Sequence, residues 1–108
     1  MDDAWIGEVL RAVAEQGKIG ELYHVTHLRG YRENAAGQVR EVNIEVLDRG
    51  PGSAGRYQIV ATDTDGRVAA GNPEDDLRLA ARVVHWNDLD RDPGQLFQSA
   101  DADEVEGI

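Results

Sequence analysis

The sequence predicts a small α+β fold: an α-β-β-β-β-α sandwich whose antiparallel sheet of three to four strands carries two helices on one face, followed by an acidic disordered C-terminal tail. Three observations carry this expectation. Residues 39–47 alternate apolar and polar side chains at period two; residues 5–13 and 77–84 carry apolar side chains at steps of three and four; and the connections are short and rich in Gly, Pro, Asn and Asp.

The first helix is predicted over 3–16, because Trp5, Ile6, Val9, Leu10 and Val13 stack on one face, Asp2 or Asp3 can cap its start, and Gly17 can end it. A β-rich run over 19–29 follows, with Leu22 and Leu28 on one face, and polar residues 30–37 read as a loop. In 39–47, Val42, Ile44 and Val46 alternate with Glu41, Asn43 and Glu45, so one face is core and the other wet. Residues 49–55 break the pattern with three glycines and a proline. Tyr57, Ile59 and Ala61 then alternate with Arg56, Gln58 and Thr62, the residues Asp63-Thr64-Asp65-Gly66 turn the chain, and 67–70 form a short return strand. Asn72 as N-cap, Pro73 at the first helical position and Asp75 in the first turn, followed by Leu77, Ala80, Ala81 and Val84, predict a second helix over 73–86. Such short connections favour a meander with both helices on one face, and Trp5 and Trp86 are expected between helix and sheet.

A chain of 108 residues has room for one domain, expected over 1–90, with 91–108 as a flexible tail. The hydrophobic fraction of 41% allows only a modest core. Twenty-one acids face 11 bases, a net charge of −10, which argues against nucleic-acid and acidic-membrane partners. Residues 88–108 hold −6 of that charge, in seven acids against Arg91 alone. The absence of cysteine excludes disulfides, thiolate metal sites and cysteine nucleophiles. No apolar run reaches the ~18 residues of a membrane helix, and Met1-Asp2-Asp3 is acidic where a secretory leader is basic, so a cytoplasmic location is expected.

Residues 41–84 resemble a double-stranded-RNA-binding domain. The order of parts matches: a strand, the loop Gly50-Pro51-Gly52-Ser53-Ala54-Gly55, a strand opening Arg56-Tyr57, the turn Asp65-Gly66, a short strand and a helix containing Ala80-Ala81. The resemblance implies the architecture. The residues that meet RNA in that family are replaced: Ser53 stands where the loop histidine would be, and Glu74-Asp75-Asp76 stand where lysines would meet phosphates. An acidic helix start repels phosphate.

His24 and His27 differ in parity and so point to opposite faces of a strand, which with His85 leaves no chelating pair. Asp63-x-Asp65-Gly66 is similar to the start of a calcium loop, yet Asn72 and Pro73 stand where its bidentate Glu belongs, so a β-turn is expected. Asp88, Asp90 and Asp92 read as solvated charge. Four aromatics, Trp5, Tyr23, Tyr57 and Trp86, form a candidate ligand pocket between helices and sheet. Arg29, Arg32, Arg49 and Arg56 are candidate anion-binding residues, with ion pairs to cross-strand glutamates or to the tail as the competing account. Leu96 and Phe97 are a candidate partner-binding motif in the tail. No nucleophile elbow, P-loop or dinucleotide fingerprint occurs, and the pattern calls for no cofactor. The reading is a non-catalytic protein-interaction or accessory module, monomeric or weakly dimeric. A small-ligand-binding protein or accessory enzyme is the alternative, and RNA binding through the arginine loops ranks third.

Overall fold

A computed structural model describes residues 2–91. The expected flexible tail, with Leu96 and Phe97, lies outside the described residues. The elements run α1 (Asp3–Gly17), β1 (His24–Glu33), β2 (Val39–Asp48), β3 (Tyr57–Asp63), β4 (Val68–Ala70), α2 (Leu77–Arg82) and a 3-10 helix (Trp86–Asp90). The strands form one antiparallel sheet in the order β1-β2-β3-β4, the expected meander, with two helices. Asp2 caps α1 by accepting the Trp5 N–H at 2.8 Å. The chain leaves the helix through Lys18, whose φ of 53° takes the left-handed role assigned to Gly17.

Register places His24, Thr26, Leu28, Gly30 and Arg32 of β1 on one face with Arg40, Val42, Ile44, Val46 and Asp48 of β2. Tyr57, Ile59, Ala61 and Asp63 of β3 continue that inner face, and Ala69 of β4 completes it. The core lies under only half of it. Val42, Ile59, Ala61, Ala69, Ala80, Val84 and Leu89 form one buried cluster, with Ile44, Val46, Tyr57, Ala81 and Trp86 packed around it. Three of these seven are alanine, so strand and helix backbones approach closely and little apolar volume is enclosed. Leu89, 2% exposed, is the largest fully buried side chain, and it enters from the 3-10 helix.

Two elements differ in extent from the sequence reading. The first strand is shifted from 19–29 to His24–Glu33. Its start is set by β2: the Asp48 carboxylate accepts the Gly50 N–H at 2.8 Å and Gly50 adopts φ 101°, so β2 ends there and offers residues 19–23 no partner. Its end is set by Asn34, whose side-chain oxygen accepts the N–H groups of Ala36 and Gln38 at 3.0 and 2.9 Å. Gly30–Glu33 are therefore strand, and the turn shrinks to Asn34–Gln38.

The second helix is not 73–86. Tyr57 and Glu74 exchange two backbone hydrogen bonds, at 2.9 and 2.8 Å, which hold the chain around Glu74 extended beside β3. Asp76, not Asn72, is the N-cap, accepting the Leu79 N–H at 3.0 Å, and α2 has six residues. Trp86 falls in the 3-10 helix, half-buried against the core, with its Nε1–H donated to the Ala81 carbonyl at 2.9 Å.

Trp5 is 47% exposed, not enclosed between helix and sheet. α1 rests on the β2–β3 connection, where a Cβ on Gly7 would stand 3.4 Å from Pro51 and one on Gly50 would stand 3.1 Å from Leu10. Only Ile6 of α1 is buried. Because Leu89 is the largest fully buried side chain among the described residues, Leu89→Ala should cost about 2–4 kcal/mol, a large share of the ~5–15 kcal/mol typical of a domain. Urea denaturation monitored by tryptophan fluorescence would check this, with the midpoint falling and the slope unchanged.

Candidate functional site

The candidate site is β1, the strand with the least cover. Seven of its ten residues are exposed, on both faces. On the inner face Leu28 is 51% exposed, and a Cβ added at Gly30 would meet nothing within 4 Å. On the outer face Tyr31 is 74% exposed and Val25 37%.

The direction of the backbone groups follows from the ladder. Residues along an antiparallel strand alternate between pointing at one neighbour and at the other. Asn34 donates its N–H to the Gln38 carbonyl at 2.8 Å, so the even-numbered residues of β1 face β2. The other side of β2 agrees: Arg49 donates to the Arg56 carbonyl at 2.8 Å, turning odd residues of β2 to β3 and even ones to β1. Val25, His27, Arg29, Tyr31 and Glu33 therefore present their N–H and C=O groups outward. Among the described residues none bonds to them. The pairing with β2 is continuous over ten residues, without a bulge, proline or lysine to blunt the edge.

The four arginines named from the sequence each meet a carboxylate. Arg29 lies 2.8 Å from Glu41, and Arg49 lies 3.6 Å from Glu21 while stacking over the Tyr23 ring at 5.6 Å. Arg32 is bidentate to Asp90, at 2.7 and 3.2 Å, and Asp90 also accepts the Ala35 N–H at 3.0 Å. Asp90 is thus a structural tie between the 3-10 helix and the β1–β2 turn, not the solvated charge expected, and the Arg32 hydrogen bond holds its carboxyl below the ordinary range.

Arg56 grips two carboxylates. It donates to Asp48 at 2.7 and 3.1 Å and to Asp3 at 3.1 and 2.9 Å, so α1 is tied to the sheet. The Asp48 side chain is 9% exposed and that of Arg56 12%. Hydrogen bonds to Asp48 first, then Asp3, raise the Arg56 pKa further above its usual value, and the Arg56 bond lowers that of Asp3. A third tie closes the β3–β4 turn: Arg67 donates to the buried Asp63 at 3.0 Å and to Asp65 at 2.9 Å, so Asp63-x-Asp65 serves a β-turn.

The four aromatics do not converge. Tyr57 lines an open cleft of about 300 Å³ with Asp3, Ile6, His24, Thr26, Val46, Asp48, Arg56 and Leu77. Trp5 does not line it and stands edge-on to His24 with 6.4 Å between rings. Tyr23 bonds to Glu21 under Arg49, and Trp86 packs against the core. His24 and His27 lie on opposite faces, as parity requires, with His27 4.0 Å from Glu45. The described residues include no group of three or more His, Asp or Glu able to hold a metal, and no helix long and apolar enough to cross a membrane.

Sequence reasoning missed the edge itself. Its signal was present: apolar residues of both parities, Val25 and Tyr31 beside Leu28, mark a strand that buries neither face fully. Comparison with protein-family models, with curated proteins and with solved structures finds no match.

The pairing of Asp90 carries a pH dependence. A carboxyl lowered in the native state adds stability above the ordinary Asp value of about 3.9, and that contribution is lost as pH falls through the lowered native value. Arg32→Gln should therefore be less stable than the parent near neutrality, and the difference between their urea midpoints should narrow below about pH 4.

Proposed function

We propose that this chain is a non-catalytic protein-interaction module that engages its partner through the free edge and flanking faces of β1. The observation that carries the reading is the ten-residue strand whose outward backbone groups have no partner among the described residues. An extended segment laid along such an edge gains main-chain hydrogen bonds, and the side chains on either face supply selectivity. Leu28, Val25 and Tyr31 provide the apolar contacts. The arginines favour this reading over phosphate binding, since each already neutralises a carboxylate of the fold.

A photo-crosslinking residue placed at Tyr31, with Arg78 on α2 as the control position, tests the reading in cells. Adducts are expected from position 31 and not from 78, and they should vanish when His27→Pro removes one outward N–H. Equal labelling at both positions, or adducts that survive His27→Pro, would count against the edge.

The 300 Å³ cleft favours a second reading, a small-ligand site between α1, α2 and the inner face. Ligand-observed NMR of a fragment mixture tests it: binders are expected, and Thr26→Trp, which fills the cleft, should abolish them. A mixture with no binder ends this reading.

A further inference from the structure

The edge of β1 complements itself. Two copies of an antiparallel strand can pair about a two-fold axis only in registers that keep inner faces together, which limits the centre of symmetry to a residue. Centred on Leu28, the pairing sets Val25 opposite Tyr31, Thr26 opposite Gly30 and Leu28 opposite its twin, so apolar or small side chains meet at these positions, with His27 opposite Arg29 between them. Centring on His27 would instead set Val25 opposite Arg29, and centring on Arg29 would set two guanidinium groups together.

The Leu28 register also agrees with the backbone. Val25, His27, Arg29 and Tyr31 are the residues whose N–H and C=O groups face outward, so Val25–Tyr31 and His27–Arg29 become hydrogen-bonded pairs. Leu28 then lies in a non-hydrogen-bonded pair, where side chains come closest. Across the inner face this builds an apolar row, because Leu28 stands beside Ile44 in each copy. On the outer face His27 stands between Glu45 of its own chain and Arg29 of the other.

We infer that the occupant of the β1 edge is a second copy of this chain, joined antiparallel about Leu28 into a continuous eight-stranded sheet. This rests on the edge reading above and names its partner. One strand per copy makes a small contact, and each chain carries a net charge of −10, so the dimer is weak and tightens as salt screens the repulsion.

Sedimentation and amide exchange on the full chain, from dilute to concentrated, test this. A monomer–dimer equilibrium strengthened by salt is expected. With rising concentration the amides of Val25, His27, Arg29 and Tyr31 should gain protection, while those of Thr26, Leu28 and Gly30, already bonded to β2, stay constant. His27→Pro removes an outward N–H that the fold does not use, and Leu28→Lys charges an exposed position. Each should raise the dissociation constant ~10-fold or more with the circular dichroism spectrum retained. A monomer at every concentration with the odd amides unprotected would overturn the proposal. So would odd amides protected even at high dilution, which would mean that residues of the same chain cover the edge. A dimer that persists in both variants would place the contact elsewhere and overturn it too. If the chain stays monomeric while position 31 captures a different protein in an edge-dependent way, only the second copy fails and the interaction module stands.

Discussion

The pair of backbone hydrogen bonds between Tyr57 and Glu74 decides how far the sheet is covered. By holding the chain extended as it passes β3, they postpone helix formation to Leu77 and leave α2 only six residues. At ~1.5 Å per residue such a helix is about 9 Å long, whereas four strands spaced ~4.8 Å apart span about 14 Å. The helix and the 3-10 segment cover β3 and β4, and Leu28 of β1 is left in the open. The exposure of β1 is therefore a consequence of chain geometry at the other side of the sheet. It is matched in β1 itself, whose inner face carries Leu28 as its one large apolar residue among His24, Thr26, Gly30 and Arg32.

With so small a core, ion pairs take on the work of orientation. Arg56 fixes the start of α1 against Asp48, Arg32 fixes the 3-10 helix through Asp90, and Arg67 closes the β3–β4 turn on Asp63. Partly buried pairs of this kind contribute little net stability, because desolvation offsets much of the attraction. Their value lies in direction: each guanidinium has a planar set of donors that accepts only one placement of its carboxylates. The arginines that suggested anion binding are better understood as the joints of an acidic protein.

The fold class was legible because its signals are local. Val42, Ile44 and Val46 betray a half-buried strand, and Trp5 to Val13 betray a helix, without reference to any other part of the chain. The second helix was misplaced because Asn72-Pro73 is good capping chemistry, and only the distant Tyr57 shows that this segment is taken by a bridge. Gly30–Glu33 looked like a loop because an edge strand exposed on both sides has no alternation to reveal it. The arginines were visible, but their partners Asp48 and Asp90 were not, since pairing across 8 and 58 positions is set by register and not by spacing. The aromatic residues suggested one pocket because composition reports that they exist, not where the sheet sends them.

The meander also sets an order of assembly. Each strand pairs with its neighbour in sequence, so the sheet can close one short turn after another, the kind of topology that folds quickly. Leu89, which seals the core, comes last among the described elements. As the chain leaves the ribosome from its N-terminus, the hairpin of β1 and β2 can form long before that seal arrives. The nascent protein thus passes through a stage in which the sheet is built but unroofed, before residues 88–108 have added their −6 to the charge of the chain.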